Sequence, residues 1–180
     1  MAAIMENKGY ILANELDSIR CERLKYNVEK LGAKIVEICN ERGEKIGNKY
    51  ENYFDKVLLD APCSGEGRFL ATDPKTYRNW SERTVKELTK IQKKLLKSAY
   101  KSVKINGEIV YSTCTLNTKE NEEILEWAVQ ELGIRIMKID INLKNAIMGI
   151  SDNTEIKNSI KILPTNDTEG FFIAKLKKIT

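Results

Sequence analysis

Along most of this chain, short apolar runs alternate with stretches of helical periodicity, and this alternation constrains the fold more than any other feature of the sequence. Residues 9–15 form an apolar run that ends on polar side chains. Asp17 then caps a helical stretch that places Cys21, Leu24, Val28 and Leu31 on one face, and Gly32 ends it. Residues 34–39 read as a second strand, followed by a polar, glycine-containing loop to about residue 52. A third strand, residues 56–59, runs directly into Asp60-Ala61-Pro62-Cys63-Ser64-Gly65. Beyond Asp73-Pro74, Ser81 starts a long helix with Val85, Leu88, Leu95, Leu96, Ala99 and Val103 at helical spacing, and Asn106-Gly107 stops it. Residues 108–112 form a fourth strand leading into Thr113-Cys114-Thr115. A helix over 118–132, ended by Gly133, and a strand over 134–139 follow. Residues 140–168 are polar and poorly periodic, as in a loop-rich insertion, before a last strand over 170–176. The pattern predicts a single α/β domain over residues 1–180, its sheet mainly parallel with helices on both faces and its ligands beyond the carboxyl ends of the strands. Glu15, Asp60 and Cys114 all lie just past strand ends.

Composition narrows the chemistry. With 180 residues, 42% hydrophobic and 31% charged, the chain can bury one sizeable core. No apolar run approaches the roughly 20 residues that span a bilayer, and the N-terminus lacks a basic region followed by an apolar stretch, so no membrane partner and a cytoplasmic location are expected. The four cysteines, at 21, 39, 63 and 114, show no C-x-x-C spacing and the chain has no histidine, so neither a zinc site nor a thioredoxin-type motif is expected, and no metal. Free thiols fit a reducing cytosol. The net charge of +4 permits a polyanionic partner without pointing to one. Without histidine, proton transfer near neutral pH falls to Asp, Glu, Lys, Cys or water.

Residue types alone leave several positions open. Cys63 and Cys114 occupy corresponding places, each in a short polar loop after a strand, so they could meet across a cleft as a reactive pair or be buried structural thiols. A thiol with its ordinary pKa of about 8.5 is only a few per cent ionised at pH 7, and the helix beginning near Thr118 could supply positive potential beside Cys114. Glu15 reads either as a ribose-binding acid or as a helix N-terminal charge. Lys86, Lys90, Lys93, Lys97, Lys101 and Lys104 form a stripe that could track phosphates but is more simply the solvated side of an amphipathic helix. Tyr77, Arg78 and Trp80 could stack on RNA or form a small packing cluster.

Three longer motifs decide between these readings. Asp60-Ala61-Pro62-Cys63-Ser64-Gly65-Glu66-Gly67, Tyr111-Ser112-Thr113-Cys114-Thr115 with Glu120-Asn121-Glu122 beyond it, and Thr168-Glu169-Gly170-Phe171-Phe172-Ile173-Ala174-Lys175 resemble, in this order, the signatures of the Sun/Nop-type RNA cytosine C5-methyltransferases. The loop from Asp73-Pro74 to Asn79-Trp80-Ser81 resembles the branch acting on small-subunit ribosomal RNA. The resemblance implies a Rossmann-like class I methyltransferase fold, S-adenosylmethionine as cofactor, and RNA as partner, rRNA first and tRNA second. It implies that Cys114 adds to C6 of cytosine, that Cys63 assists product release, and that Asp60 hydrogen-bonds the polar edge of the base while Pro62 stiffens its loop. Glu15 would hold the ribose and Asn40 the adenine, with Asp60 and Pro62 adjoining the same cofactor site. Relatives carry an acid near Asn40, where this chain has Glu41 and Arg42.

The chain also departs from the family pattern. Residues 1–9 resemble the end of the helix that follows the first strand of the fold, and the first strand with its Pro-Gly-Gly-Lys loop has no counterpart here. On that reading the chain is an N-terminally incomplete catalytic domain that binds the cofactor weakly or not at all. A non-catalytic RNA-binding or interaction remnant is the alternative, and a thiol-based redox protein the third reading.

Overall fold

The computed structural model describes residues 1–180, which divide into two compact units, Met1–Ile46 and Gly47–Thr180. In the first unit, strands β1 (Ile11–Asn14) and β2 (Val36–Cys39) pair in parallel, Ile11 opposite Val36 and Asn14 opposite Cys39. Helix α1 (Ser18–Lys30) connects them. Its cap is the expected one: the Asp17 carboxylate accepts from the Arg20 amide at 2.8 Å, and Gly32, at φ +64°, closes the far end. Of the four positions expected on its inner face, Cys21 is buried and Leu24 and Val28 are half-buried, but Leu31 is exposed because it already belongs to the C-cap. The polar segment after β2, expected as loop, contains helix α2 (Gly43–Lys49). Two glycines in seven residues hid it, since glycine weakens a helix by about 1 kcal/mol relative to alanine. Gly47 is there for packing: its amide donates to Ser98 Oγ at 2.8 Å, and a Cβ would stand 2.4 Å from the Ser98 carbonyl oxygen.

In the second unit, β3 (Phe54–Asp60), β4 (Val103–Thr113), β8 (Phe171–Lys177), β7 (Ile160–Ile162) and β6 (Ala146–Met148) lie in that spatial order, and β5 (Arg135–Met137) also pairs with β8. Only β3 and β4 are parallel here; the ladders β4–β8, β5–β8, β7–β8 and β6–β7 are antiparallel. The α/β class stands, and the parallel character expected of the sheet is confined to the two ladders that carry strand–helix–strand connections. Residues 140–168, expected as loops, contribute β6 and β7, each three residues long and too short to show a period.

Helix α3 (Glu82–Ser102) begins as expected, with Ser81 Oγ accepting from the Thr84 amide at 3.1 Å. It ends before Asn106-Gly107. The Lys178 ammonium donates to the Tyr100 and Val103 carbonyls at 3.0 and 3.1 Å, satisfying the end of the helix, and burial lowers the pKa of this lysine. Asn106-Gly107 instead lies inside β4, with Asn106 at φ +64° and its amide donating to the Lys178 carbonyl, where the register against β3 shifts. Helix α4 (Glu122–Leu132) is shorter than expected: residues Thr118–Glu120 form a separate 3-10 turn, and Asn121 breaks the path. The core joins Leu96 and Ala99 of α3 and Ile124, Leu125 and Ala128 of α4 to Ile109, Tyr111, Phe172, Ala174 and Leu176 of the sheet. No helix is long and apolar enough to cross a membrane.

Candidate active site

Because β3 and β4 are parallel and adjacent, with Asp60 opposite Ser112, their following loops leave the same edge of the sheet. The Ala61 amide donates to the Ser112 carbonyl at 2.9 Å, extending the ladder into the loop, and Ser112 Oγ donates to Asp60 Oδ1 at 3.1 Å. Cys63 and Cys114 therefore meet: their sulfurs stand 3.2 Å apart, a thiol–thiol contact. Desolvation, and after it the contact with Cys114, pushes the Cys63 thiol up to about 12, so Cys63 keeps its proton near neutral pH. It can donate that S–H to the Cys114 sulfur. Asp60 and Pro62, at the head of the loop, are solvent-exposed.

The loops are held from below by residues to which the sequence reading gave no role. Glu120 is fully buried and accepts hydrogen bonds from the Ser64 amide at 3.0 Å, from Ser64 Oγ at 2.5 Å and from Gln92 Nε2 at 2.9 Å. Gln92 Nε2 also donates to the Pro62 carbonyl at 2.9 Å, tying the Cys63 loop to α3. Asn121 serves the other loop: its Oδ1 accepts from Thr113 Oγ1 at 2.7 Å and its Nδ2 donates to the Thr115 carbonyl at 2.9 Å. A Ser64–Thr115 hydroxyl contact at 2.9 Å links the two loops. The signal for Gln92 was present, as a polar residue four positions after Leu88 on the apolar face of α3. The expected helix-dipole effect on Cys114 is not supported. The 3-10 turn at Thr118 has three residues, and α4 starts with two acids, Glu122 and Glu123.

A third strand closes the site. The Gly67 amide donates to the Cys114 carbonyl at 3.0 Å and the Gly170 amide to the Gly67 carbonyl at 2.7 Å, so the last motif docks on the first. A Cβ on Gly67 would lie 2.0 Å from the Gly170 oxygen, which leaves only glycine possible. Beside the loop, a cavity of about 230 Å3 has Cys63, Phe69, Lys75, Asn79, Trp80 and Leu88 in its wall. Tyr77 and Trp80 are 38% and 40% exposed, and Tyr77 packs on Phe69 with ring centres 5.9 Å apart. Members of the lysine stripe have local partners: Lys104 pairs with Asp55, Lys101 with Asn48, and Lys93 lies over the Trp127 ring.

In the first unit, Glu15 and Asn40 come together beyond the ends of β1 and β2. The Glu15 carboxylate accepts from the Asp17 amide at 2.9 Å and pairs with Arg20 at 3.0 Å, while Asn40 Nδ2 donates to the Glu15 and Leu16 carbonyls at 2.6 and 2.9 Å. A larger, open hollow of about 630 Å3 along α1, beside Ile19, Arg23 and Tyr26, contains none of the candidate residues.

Residues 1–177 match the family model described as 16S rRNA methyltransferase RsmB/F. The tRNA (cytosine(49)-C(5))-methyltransferase of Pyrococcus abyssi is 39% identical over 99% of this chain and 58% of its own length; the ribosomal RNA small subunit methyltransferase F of Cronobacter sakazakii is 35% identical over 99% of the chain and 37% of its own. The chain thus spans only part of the relatives it matches. Among solved structures, NSun6 from Pyrococcus horikoshii with SFG superposes with a TM-score of 0.82 at 30% identity, covering 99% of this chain and 44% of that one. A SAM-dependent O-methyltransferase from Thermotoga maritima, at 15% identity and a TM-score of 0.59, shares the fold alone.

Proposed function

We propose, because this chain belongs to the 16S rRNA methyltransferase RsmB/F family, that it carries the cytosine C5-methylation centre of an RNA-modifying enzyme, with Cys114 as nucleophile and Cys63 as its release partner. The observation that carries this reading is the 3.2 Å contact between two thiols at the ends of adjacent parallel strands. C5 of cytosine is unreactive until the ring is made electron-rich. The Cys114 thiolate adds to C6, and the electron pair of the C5–C6 double bond becomes available at C5. Asp60, one of whose oxygens is taken by Ser112, turns the other to the polar edge of the base and favours protonation at N3 from solvent, so that the ring stays neutral as the thiolate adds. After methylation the C5 proton leaves to solvent, the double bond re-forms and the C6–sulfur bond breaks, its electron pair returning to Cys114. Cys63, still protonated, donates its S–H to that sulfur as negative charge collects on it.

The cofactor, when bound, supplies the electrophilic methyl group and departs as S-adenosylhomocysteine. The side chains of the first unit fit it: each Glu15 oxygen has one partner only, leaving lone pairs for ribose hydroxyls, and Asn40, its nitrogen engaged, keeps Oδ1 for an adenine amino group. The P. horikoshii relative was determined with SFG, an S-adenosylmethionine analogue, which supports the same choice. Relatives named for rRNA and for tRNA support RNA as substrate class, with rRNA in keeping with the family description.

The test is covalent trapping in the full protein. Cys114→Ala abolishes methyl transfer and leaves no protein–RNA adduct. Cys63→Ala still adds to C6 and methylates but releases slowly, so a species that survives denaturing electrophoresis accumulates, and it disappears in the double variant. The reverse pattern would exchange the two roles; no adduct in either variant would remove the covalent mechanism.

A further inference from the structure

We propose that the cavity beside Cys63 is a stacking subsite for the nucleobase that adjoins the target cytosine in single-stranded RNA. This rests on the reading that the protein acts on RNA. The target ring must bring its C6 to the Cys114 sulfur, and Cys114 is not in the cavity wall, whereas Cys63, 3.2 Å away, is. The cavity is therefore next to the target position without being it. Its volume of about 230 Å3 lies below the roughly 300–1,000 Å3 of pockets for drug-sized ligands, which suits one planar base and is too small for a complete nucleoside cofactor.

The wall has the composition that base recognition needs. Phe69 and Trp80 bring aromatic rings, Leu88 an apolar floor, Asn79 an amide able to donate and accept, and Lys75 a cation for a neighbouring phosphate. The wall is also braced. The Trp80 indole donates to Glu66 Oε1 at 2.8 Å, and the same oxygen accepts from Asn117 Nδ2 at 2.8 Å. The Asp73 carboxylate accepts from the Lys75 amide at 3.0 Å, and Thr76 Oγ1 joins the Asp73 carbonyl to the Leu70 amide. Trp80 lines the cavity and nevertheless remains 40% exposed.

The experiment measures binding of a fluorescent single-stranded RNA hexamer with one central cytosine by anisotropy, beside two versions in which the nucleotide before or after the cytosine is abasic. In the unmodified protein, one abasic neighbour weakens binding at least about fivefold, the scale of one lost base–aromatic stack. Trp80→Ala weakens binding of the intact hexamer to a similar degree and makes the abasic change nearly neutral, Trp80→Phe retains the difference, and Asn79→Ala reduces it. If the abasic change that weakens binding to the unmodified protein costs Trp80→Ala and Asn79→Ala as much, or if neither abasic change costs the unmodified protein anything, the subsite is wrong while RNA binding stands. If the unmodified protein binds none of the hexamers, the RNA reading falls and the subsite with it. Turnover is not measured, so the roles of the cysteines do not bear on the result.

Discussion

At the scale of single residues, the protonation of Cys63 is the property of the thiol pair that pH can test. Its pKa is raised from about 9 to about 12 by burial first and by Cys114 second. An acid whose pKa is higher in the folded state favours folding through its neutral form, so this contribution is present below the pKa of the unfolded thiol and is lost as pH rises from about 9 towards 12. Denaturant titrations across that window should therefore show the unmodified protein losing more stability than Cys63→Ser, which has no titrating group at this position. Parallel curves would mean that Cys63 is not held neutral. The sequence made both cysteines and Asp60 legible, because each stands at the end of a strand or in the short loop just beyond it. It did not reveal what holds them: Glu120, a charged residue in a polar stretch, reads as a surface acid until its three donors are seen converging on it from the Cys63 loop and from α3.

At the scale of elements, the long periodic pieces were legible and the short ones were not. Helix α3 and its Ser81 cap, α1 and its Asp17 cap, and strands β3 and β8 follow from period and end signals. β6 and β7 do not, since three residues carry no period, and what orders them is a tertiary contact. Lys161 of β7 and Glu122 of α4 form an ion pair at 3.0 Å with side chains only 3% and 2% exposed. Lys161 also donates to the Leu116 carbonyl at 3.0 Å, and Glu122 accepts from the Ile150 amide at 2.9 Å, so one pair pins the insertion to the chain just beyond Cys114. Glu122 Oε2 already lacks a partner, which makes the carboxylate dependent on its lysine. Lys161→Met should destabilise the protein by about 3–5 kcal/mol in chemical denaturation, the expected result of stranding a buried charge, and adding Glu122→Gln should recover part of the loss. A loss below about 1 kcal/mol would show that the insertion is ordered by its apolar contacts instead.

At the scale of the whole molecule, the parallel ladders β1–β2 and β3–β4 are made by neighbouring stretches of chain, whereas the middle of the larger sheet is made by the last strand. β8 pairs with β4 on one side and with β7 on the other, also carries β5, and buries Phe172, Ala174 and Leu176 completely. Its placement fixes the order in which this unit can become itself. Glu108 must wait for Lys177, and Thr113 for Phe172, so β4 spends the early part of folding with one edge unpaired and Ile109 and Tyr111 uncovered. Closure of so long a segment is the slow event in chains dominated by distant pairings. In stopped-flow refolding, Ala174→Gly should slow the folding limb, whereas Ala128→Gly in α4 should act mainly on the unfolding limb; the opposite assignment would place the helix in the nucleus. A refolding chain is thus most prone to self-association while the edge of β4 that β8 covers is still open.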